Sequence, residues 1–227
     1  MKLLDTYCGA GGCGMGYHLA GFEVVGVDKN PQPNYPFEFH QGDAIEFIKQ
    51  HGKDFDVIHA SPPCQKYSRA TAASRSRGKK YIDLIQPTRE ALEEVGSIYV
   101  MENVPGAPIR ADLKLSGFHF GLRVVRWRWF ELGNIFLMQP HHPATISRPT
   151  IVGEYITVVG TGGRNRLQAK PTDIKIWKGS WRKTAAYAMG IDWMSWKEMT
   201  QAIPPAYTKW IGENIIRILK RKSCNTM

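Results

Sequence analysis

KLLDTYCGAGGCGMGYHLAGFEVVGVD, residues 2–28, decides the fold. KLLDT (2–6) is a short apolar run that reads as a strand, and a glycine-rich turn follows it directly. A short helix is predicted over roughly 14–20, stopped by Gly21, since a glycine past the last helical residue relieves the backbone there. EVVGV (23–27) is a second strand. Strand, glycine turn, helix and strand in so few residues imply parallel pairing. GAGGCG (9–14) fits G-x-G-x-x-G in the position where glycines permit a tight turn and close approach of a ligand to the backbone.

The pattern continues outward. FEFH (37–40), DVIHA (56–60) and SIYVM (97–101) read as further strands, with helices predicted over 44–50 and about 83–95. Strands alternating with helices give a doubly wound, mostly parallel α/β sheet, Rossmann-like. The second half differs. RVVRWRWFEL (123–132) alternates as a strand does, and 133–180 is rich in Gly, Pro and Thr with one strand, EYITVVG (154–160). Helices follow near 181–189, before Gly190, and from Pro204-Pro205 onward, where Tyr207, Trp210, Ile211, Ile215, Ile218 and Leu219 recur at helical spacing. We divide the chain into a cofactor-binding and catalytic domain (1–132), a small irregular recognition insert (133–180) and a segment returning to the catalytic domain (181–227).

Composition narrows the function. The 227 residues carry a net charge of +10, which favours a polyanionic partner, nucleic acid above all. Arg69, Arg75, Arg77, Lys79 and Lys80 crowd into one Ser/Ala-rich stretch. No apolar run reaches the ~20 residues of a membrane span, and the start lacks a secretory signal, so a cytoplasmic protein without membrane contact is expected. The cysteines, Cys8, Cys13, Cys64 and Cys224, form no CxxC pair, so neither zinc nor disulfides are expected. His119, His141 and His142 read as structural, so no metal is expected. No Walker lysine accompanies the loop, which disfavours ATP as a phosphoryl donor.

Cofactor and nucleophile emerge together. Asp28 ends the second strand about twenty residues beyond the loop, where an acid can bind ribose hydroxyls. Asp43 follows the third strand and fits either an adenine contact or a helix cap. The loop itself does not separate NAD from S-adenosylmethionine. Cys64 stands after Pro62-Pro63 beyond the fourth strand, and Glu102 ends the fifth. Open α/β sheets bind ligands outside the carboxyl ends of their strands, so all these residues converge on one edge.

These residues resemble the DNA cytosine-5 methyltransferases. DTYCGAGG resembles the family's first motif, SPPCQ its nucleophile motif, MENV its glutamate motif, RVVRWR its paired-arginine motif and TQAIPPAYTKWIG its closing motif, in the family's order. The resemblance implies S-adenosylmethionine held by Tyr7, Gly9, Ala10, Gly11, Gly12, Asp28, Asp43 and Pro62. It makes Cys64 the nucleophile, Glu102 the group on the cytosine N3 edge, and Arg126 and Arg128 a polar clamp near the base. Double-stranded DNA would be met by Gln65, Ser68, Arg69, Arg75, Arg77, Lys79, Arg164 and Arg166, with Trp177 and Trp181 as further groove candidates. A cation near Cys64 would favour its thiolate. The chain departs from the motifs at Val124, where glutamine is usual, and at Thr200-Gln201, where Gly-Asn is common. The short insert is consistent with a compact, phage-like or orphan member, a monomer, acting with or without a cognate restriction endonuclease in a prokaryotic or phage-infected cell. A tRNA-directed member of the superfamily and a catalytically silent nucleic-acid-binding relative are the alternatives. A NAD-dependent oxidoreductase leaves PPCQ and ENV without a purpose.

Overall fold

The computed structural model describes residues 1–141, 154–158 and 175–224. Strands β1 (Lys2–Thr6), β2 (Glu23–Asp28), β3 (Glu38–Gln41), β4 (Val57–Ala60), β5 (Ile98–Asn103), β6 (Leu113–Leu115) and β7 (Arg128–Gly133) form one sheet ordered β3-β2-β1-β4-β5-β7-β6. The first five pair in parallel, and β7 lies antiparallel to both β5 and β6. The order reverses at β1, between β2 and β4, and it is there that the glycine loop leaves the sheet.

Alternation along β1 builds both layers. Leu3 packs with Tyr17, Ile211 and Ile215 on one face, while Leu4 packs with Ile48, Ile85 and Leu92 on the other. The first face is covered by α1 (Gly12–Ala20) and the long α7 (Pro205–Cys224), the second by α2 (Ala44–His51) and α4 (Ile85–Val95). Gly21 ends α1 at φ 108°, its N–H satisfying the carbonyls of Tyr17 and His18. The short α3 (Ala72–Ser76) lies in the basic stretch after Cys64. A separate apolar cluster joins Val124, Ile156 and Val158 to α5 (Trp181–Met189) and α6 (Trp196–Gln201).

The expected strand over 123–132 begins only at Arg128. Its partner β5 ends at Asn103, opposite Trp129, so upstream residues have no strand left to pair with on that side. Val124 instead bridges Ile156, and that isolated bridge is what remains of the expected strand 154–160 among the described residues. The three-residue β6 and the short α6 were not foreseen. No described helix is long and apolar enough to cross a membrane.

Candidate active site

The glycine loop is shaped by close approach. Gly9 and Gly11 take φ 51° and 82°. A Cβ on Gly12 would stand 2.5 Å from the Ile203 carbonyl, so that glycine is what lets the closing segment lie against the loop. Trp193 fastens the same junction, its indole N–H donating to the Ala10 carbonyl at 2.9 Å. The Thr208 hydroxyl donates to the Cys13 carbonyl at 2.8 Å. Trp193 carried no signal in the sequence, because it acts across nearly the whole chain, whereas Thr208 lies within the closing motif without having been singled out.

The mouth of the loop is open: a Cβ built on Gly9 meets no atom within 4 Å. Asp28 stands at this mouth, accepting the Gly9 N–H at Oδ2 (3.2 Å) and the Asn30 N–H at Oδ1 (2.9 Å). Asp43 caps α2, its Oδ1 accepting from the N–H groups of Ile45 and Glu46, which leaves Oδ2 outside the cap. Tyr7 is tied to α4 through a 2.7 Å bond between its hydroxyl and that of Thr88. Burial and, secondarily, the Asp43 charge push its phenol up to about 12. An open mouth, backbone free of side chains and a carboxylate twenty residues on fit an adenosine-bearing group.

Cys64 lies beyond β4, beside the end of β5. The PPC turn is pinned by Asn103, whose amide donates to the Pro62 carbonyl (2.9 Å) while its oxygen accepts the Val104 N–H (2.9 Å). Asn103, inside the glutamate motif, was missed as a site residue although its neighbour Glu102 was not. The Cys64 carbonyl in turn accepts the N–H groups of Tyr67 and Ser68. Burial and the Glu102 carboxylate push the thiol up from its ordinary value, and Arg128 and Arg126 oppose them without prevailing. The expected cationic depression is therefore present as a field and outweighed by desolvation.

Glu102 is 6% exposed. Arg128 Nε stands 2.8 Å from its Oε1, an ion pair without the alignment of a hydrogen bond. Burial raises the carboxyl, while Arg128, the Ser61 hydroxyl and Arg126 pull it back. The two arginines do different things. Arg126 is buried, and its Nη atoms donate to the carbonyls of Val158 (2.7 Å) and Thr200 (2.9 Å). Its own carbonyl accepts the Tyr207 hydroxyl at 2.6 Å. It thus stitches three distant segments together behind the site, and burial lowers its guanidinium to about 9. Arg128 is the arginine that pairs with the carboxylate, and Arg126 acts on it from farther away.

The basic stretch beyond Cys64 also divides. Arg75 turns inward, Nη1 donating to the carbonyls of Gln65 (3.0 Å) and Ser68 (2.7 Å) and to Thr71 Oγ1 (2.6 Å). Ser68 caps the turn at Arg69–Thr71. Lys66 (2.9 Å) and the Tyr67 hydroxyl both bind Asp83, which also accepts the Ile85 N–H at the start of α4. Arg69, Arg77 and Lys79 are exposed. Trp177 and Trp181 meet edge to face at 5.2 Å, half-buried on the third cluster. Arg164 and Arg166 lie outside the described residues. Cys8 and Cys13 are buried, and no group of three metal-ligating side chains occurs among the described residues.

Residues 1–110 match the model of the C-5 cytosine-specific DNA methylases. The type II methyltransferase M.HgiGI of Herpetosiphon aurantiacus is 30% identical over 116 residues, which is 42% of this chain and 90% of that protein. M.AquIA of Picosynechococcus is 31% identical over 126 residues, 46% of this chain and 49% of that protein. The chain thus spans about half the length of M.AquIA, and a smaller share of M.HgiDI from Herpetosiphon aurantiacus (37%, at 30% identity over 42% of this chain). Among solved structures, an E. coli prophage protein described as a DNA modification methyltransferase superposes with a TM-score of 0.62 at 16% identity, covering 97% of this chain and 99% of that one. Schizosaccharomyces pombe Dnmt2 methyltransferase gives 0.60 at 11% identity, covering 96% and 99%. Both likenesses show the fold.

Proposed function

The chain belongs to the C-5 cytosine-specific DNA methylase family, and from that premise we propose that it methylates C5 of a cytosine in duplex DNA, with S-adenosylmethionine as donor. The observation that carries this reading is the placing of Cys64, Glu102 and Arg128 together beside the mouth of the glycine loop, with Arg128 Nε 2.8 Å from Glu102 Oε1.

Cytosine C5 is a poor nucleophile while the ring is aromatic. Cys64 Sγ adds to C6, forming an S–C bond and making C5 an enamine-like carbon. Glu102 hydrogen-bonds the N3 edge and disperses the charge that develops there, a role suited to a carboxyl raised by burial. The donor supplies an electrophilic methyl on a sulfonium. As C5 takes that methyl, the sulfonium S–C bond breaks. A base removes the C5 proton, and the Cys64–C6 bond breaks to restore the ring. Burial and the Glu102 carboxylate favour the protonated thiol, so its proton passes to water as the S–C6 bond forms. The base must leave the duplex to reach a half-buried thiol in the site, which implies flipping.

Asp28 would hold the donor's ribose and Asp43 and Tyr7 its adenine, with the backbone of Gly9, Ala10, Gly11 and Gly12 and the side chain of Pro62 lining the rest of its site. Arg69, Arg77 and Lys79 are the exposed cations we assign to phosphate, and Gln65 and Ser68 stand at the start of the same segment. Arg75 and Arg126 act by holding backbone in place.

A duplex carrying 5-fluorocytosine tests the chemistry, because fluorine cannot leave C5 as a proton does. With S-adenosylmethionine the wild type should form a denaturation-resistant adduct. Cys64→Ala should form none, while Cys8→Ala and Cys13→Ala should still trap. Equal trapping by Cys64→Ala refutes the mechanism, and trapping only of 5-fluorocytosine RNA moves the activity to RNA.

A further inference from the structure

The glycine loop starts from a residue in an uncommon conformation. Tyr7 comes directly after β1 and takes φ 55°, and among the described residues only Asn134 joins it as a non-glycine with positive φ. A bulky side chain is strained in this left-handed region, and such strain persists where the surrounding structure holds it. The turn has a use. It points the Cys8 N–H back to the Val27 carbonyl at 3.2 Å, and the chain then passes to Gly9 at φ 51°.

The hold comes from α4. The buried residues of that helix are Ile85, Thr88, Ala91 and Leu92, and Thr88, 0% exposed, is the polar one among them. Valine has the same shape and would suit an apolar stripe without a hydroxyl to satisfy. The Thr88 hydroxyl lies 2.7 Å from that of Tyr7, 81 residues away in sequence. The Tyr7 ring packs against the cluster that contains Ile85 and Leu92. The turn carrying Thr88 is itself fixed, because Asp83 accepts the Ile85 N–H at 3.2 Å and is bound by Lys66 and Tyr67 from beyond Cys64.

We propose that Thr88 is a positioning residue for the donor site: its hydroxyl grips the Tyr7 hydroxyl and so holds Tyr7 in the left-handed conformation from which the glycine loop starts. This rests on that loop being where S-adenosylmethionine binds.

The hydroxyl pair is the part of the hold that is specific to these two residues. The bond to Val27 uses backbone alone and would serve any residue at position 7. Without Thr88 the ring is held by packing only, and the backbone relaxes towards negative φ, carrying Cys8 and Gly9 with it. The groups that act on cytosine, Cys64 and Glu102, lie on other strands, so the loss falls on the donor rather than on the base.

Two measurements test this, one of them independent of catalysis and of the donor. In labelled protein free of DNA and cofactor, Tyr7 should give the strong intraresidue amide–Hα cross-peak of a positive φ in the wild type and in Thr88→Ser, which keeps the hydroxyl, and should lose that intensity in Thr88→Val. Calorimetry with S-adenosylmethionine should show binding about three- to ten-fold weaker in Thr88→Val, within about two-fold of wild type in Thr88→Ser, and as weak in Tyr7→Phe as in Thr88→Val. The double variant should be no weaker than either single one, since both remove the same bond. In methylation kinetics the Thr88→Val loss should appear in KM for S-adenosylmethionine, with kcat and KM for DNA within about two-fold. Wild-type affinity in Thr88→Val, losses that multiply in the double variant, or an unchanged Tyr7 cross-peak in Thr88→Val overturns the proposal. Where Thr88→Val does not fold, Tyr7→Phe, which leaves α4 intact, carries the same comparison, and wild-type affinity in it overturns the proposal. If the wild type binds no S-adenosylmethionine, the donor reading has failed, and the cross-peak still judges the grip of Thr88 on Tyr7.

Discussion

Replacing Arg128 by methionine isolates the charge problem at the centre of the site. The side chains of Arg128 and Glu102 are 14% and 7% exposed and 2.8 Å apart. Methionine keeps the length of the side chain and removes its charge, leaving a buried carboxyl whose main counter-charge is gone. Such a group protonates rather than remain ionised. Starting from an ordinary carboxyl near 4.5, holding it protonated at pH 7 costs about 1.4 kcal/mol for each of about 2.5 pH units, or about 3.5 kcal/mol. The sign follows from linkage. The folded variant binds a proton that its unfolded chain releases, so stability falls as pH rises through the window between the unfolded and folded values. Relative to wild type, whose own carboxyl burial already raises, Arg128→Met should lose more stability at pH 7 than at pH 5.5, by up to about 2 kcal/mol, flattening once the variant's own carboxyl ionises. Urea denaturation at half-unit steps from pH 5 to 8 measures this. The wild-type-minus-variant difference cancels every other titrating group. A loss that is the same at pH 5.5 and 8 would show that Glu102 stays charged without Arg128, and the reasoning would be wrong.

Asp28→Ala should weaken S-adenosylmethionine binding at least several-fold by calorimetry, since a charge-assisted acceptor is worth about 1.5–3 kcal/mol; an unchanged constant would make Asp28 a turn residue only. Asp5 is 1% exposed, and burial lifts its carboxyl from 3.8 to about 8. Its folded value exceeds its unfolded one, so stability should decline from about pH 4 to about pH 8, and Asp5→Asn should flatten that decline in urea titrations unless the slope has another source. The short insert offers few side chains to base edges, each bidentate pair giving about 1–3 kcal/mol of discrimination. Methylome sequencing of expressing cells should therefore find a target of about two to four base pairs, and one strict site of six or more would contradict this.

What was legible in the sequence was what repeats locally. The strand–turn–helix rhythm of 2–28 and the stop at Gly21 are short-range signals, and α1 and β2 lie close to where they predicted. Lone side chains acting at a distance left no such trace. Arg126 and Arg128 look alike two residues apart, yet β7 begins only at Arg128, and the one before it turns to the carbonyls of Val158 and Thr200 while the other meets Glu102. Arg75 reads as one more cation in a basic run, and only the folded turn shows three acceptors waiting for it. Glu131 is wholly buried in β7, where it pairs with Arg89 at 2.8 Å; nothing in FELG sets it apart from a surface acid. His59 passed as an ordinary member of an apolar strand because Tyr17, which meets its Nδ1, comes from a different element.

The packing of α7 against α1 governs how the chain can fold. Gly16 leaves the space that Thr208 and Pro205 fill, and Tyr17 and Leu3 are sealed by Ile211 and Ile215. The bond from Thr208 to Cys13 spans 195 residues, and that from Trp193 to Ala10 spans 183. During synthesis the first helix therefore emerges with an apolar face whose cover is made nearly 200 residues later. Closing contacts of such sequence separation slow folding, and an apolar face left waiting invites association with other chains. A ribosome-bound chain halted before residue 205 should engage holdase chaperones through the α1 face, and release through residue 224 should free it.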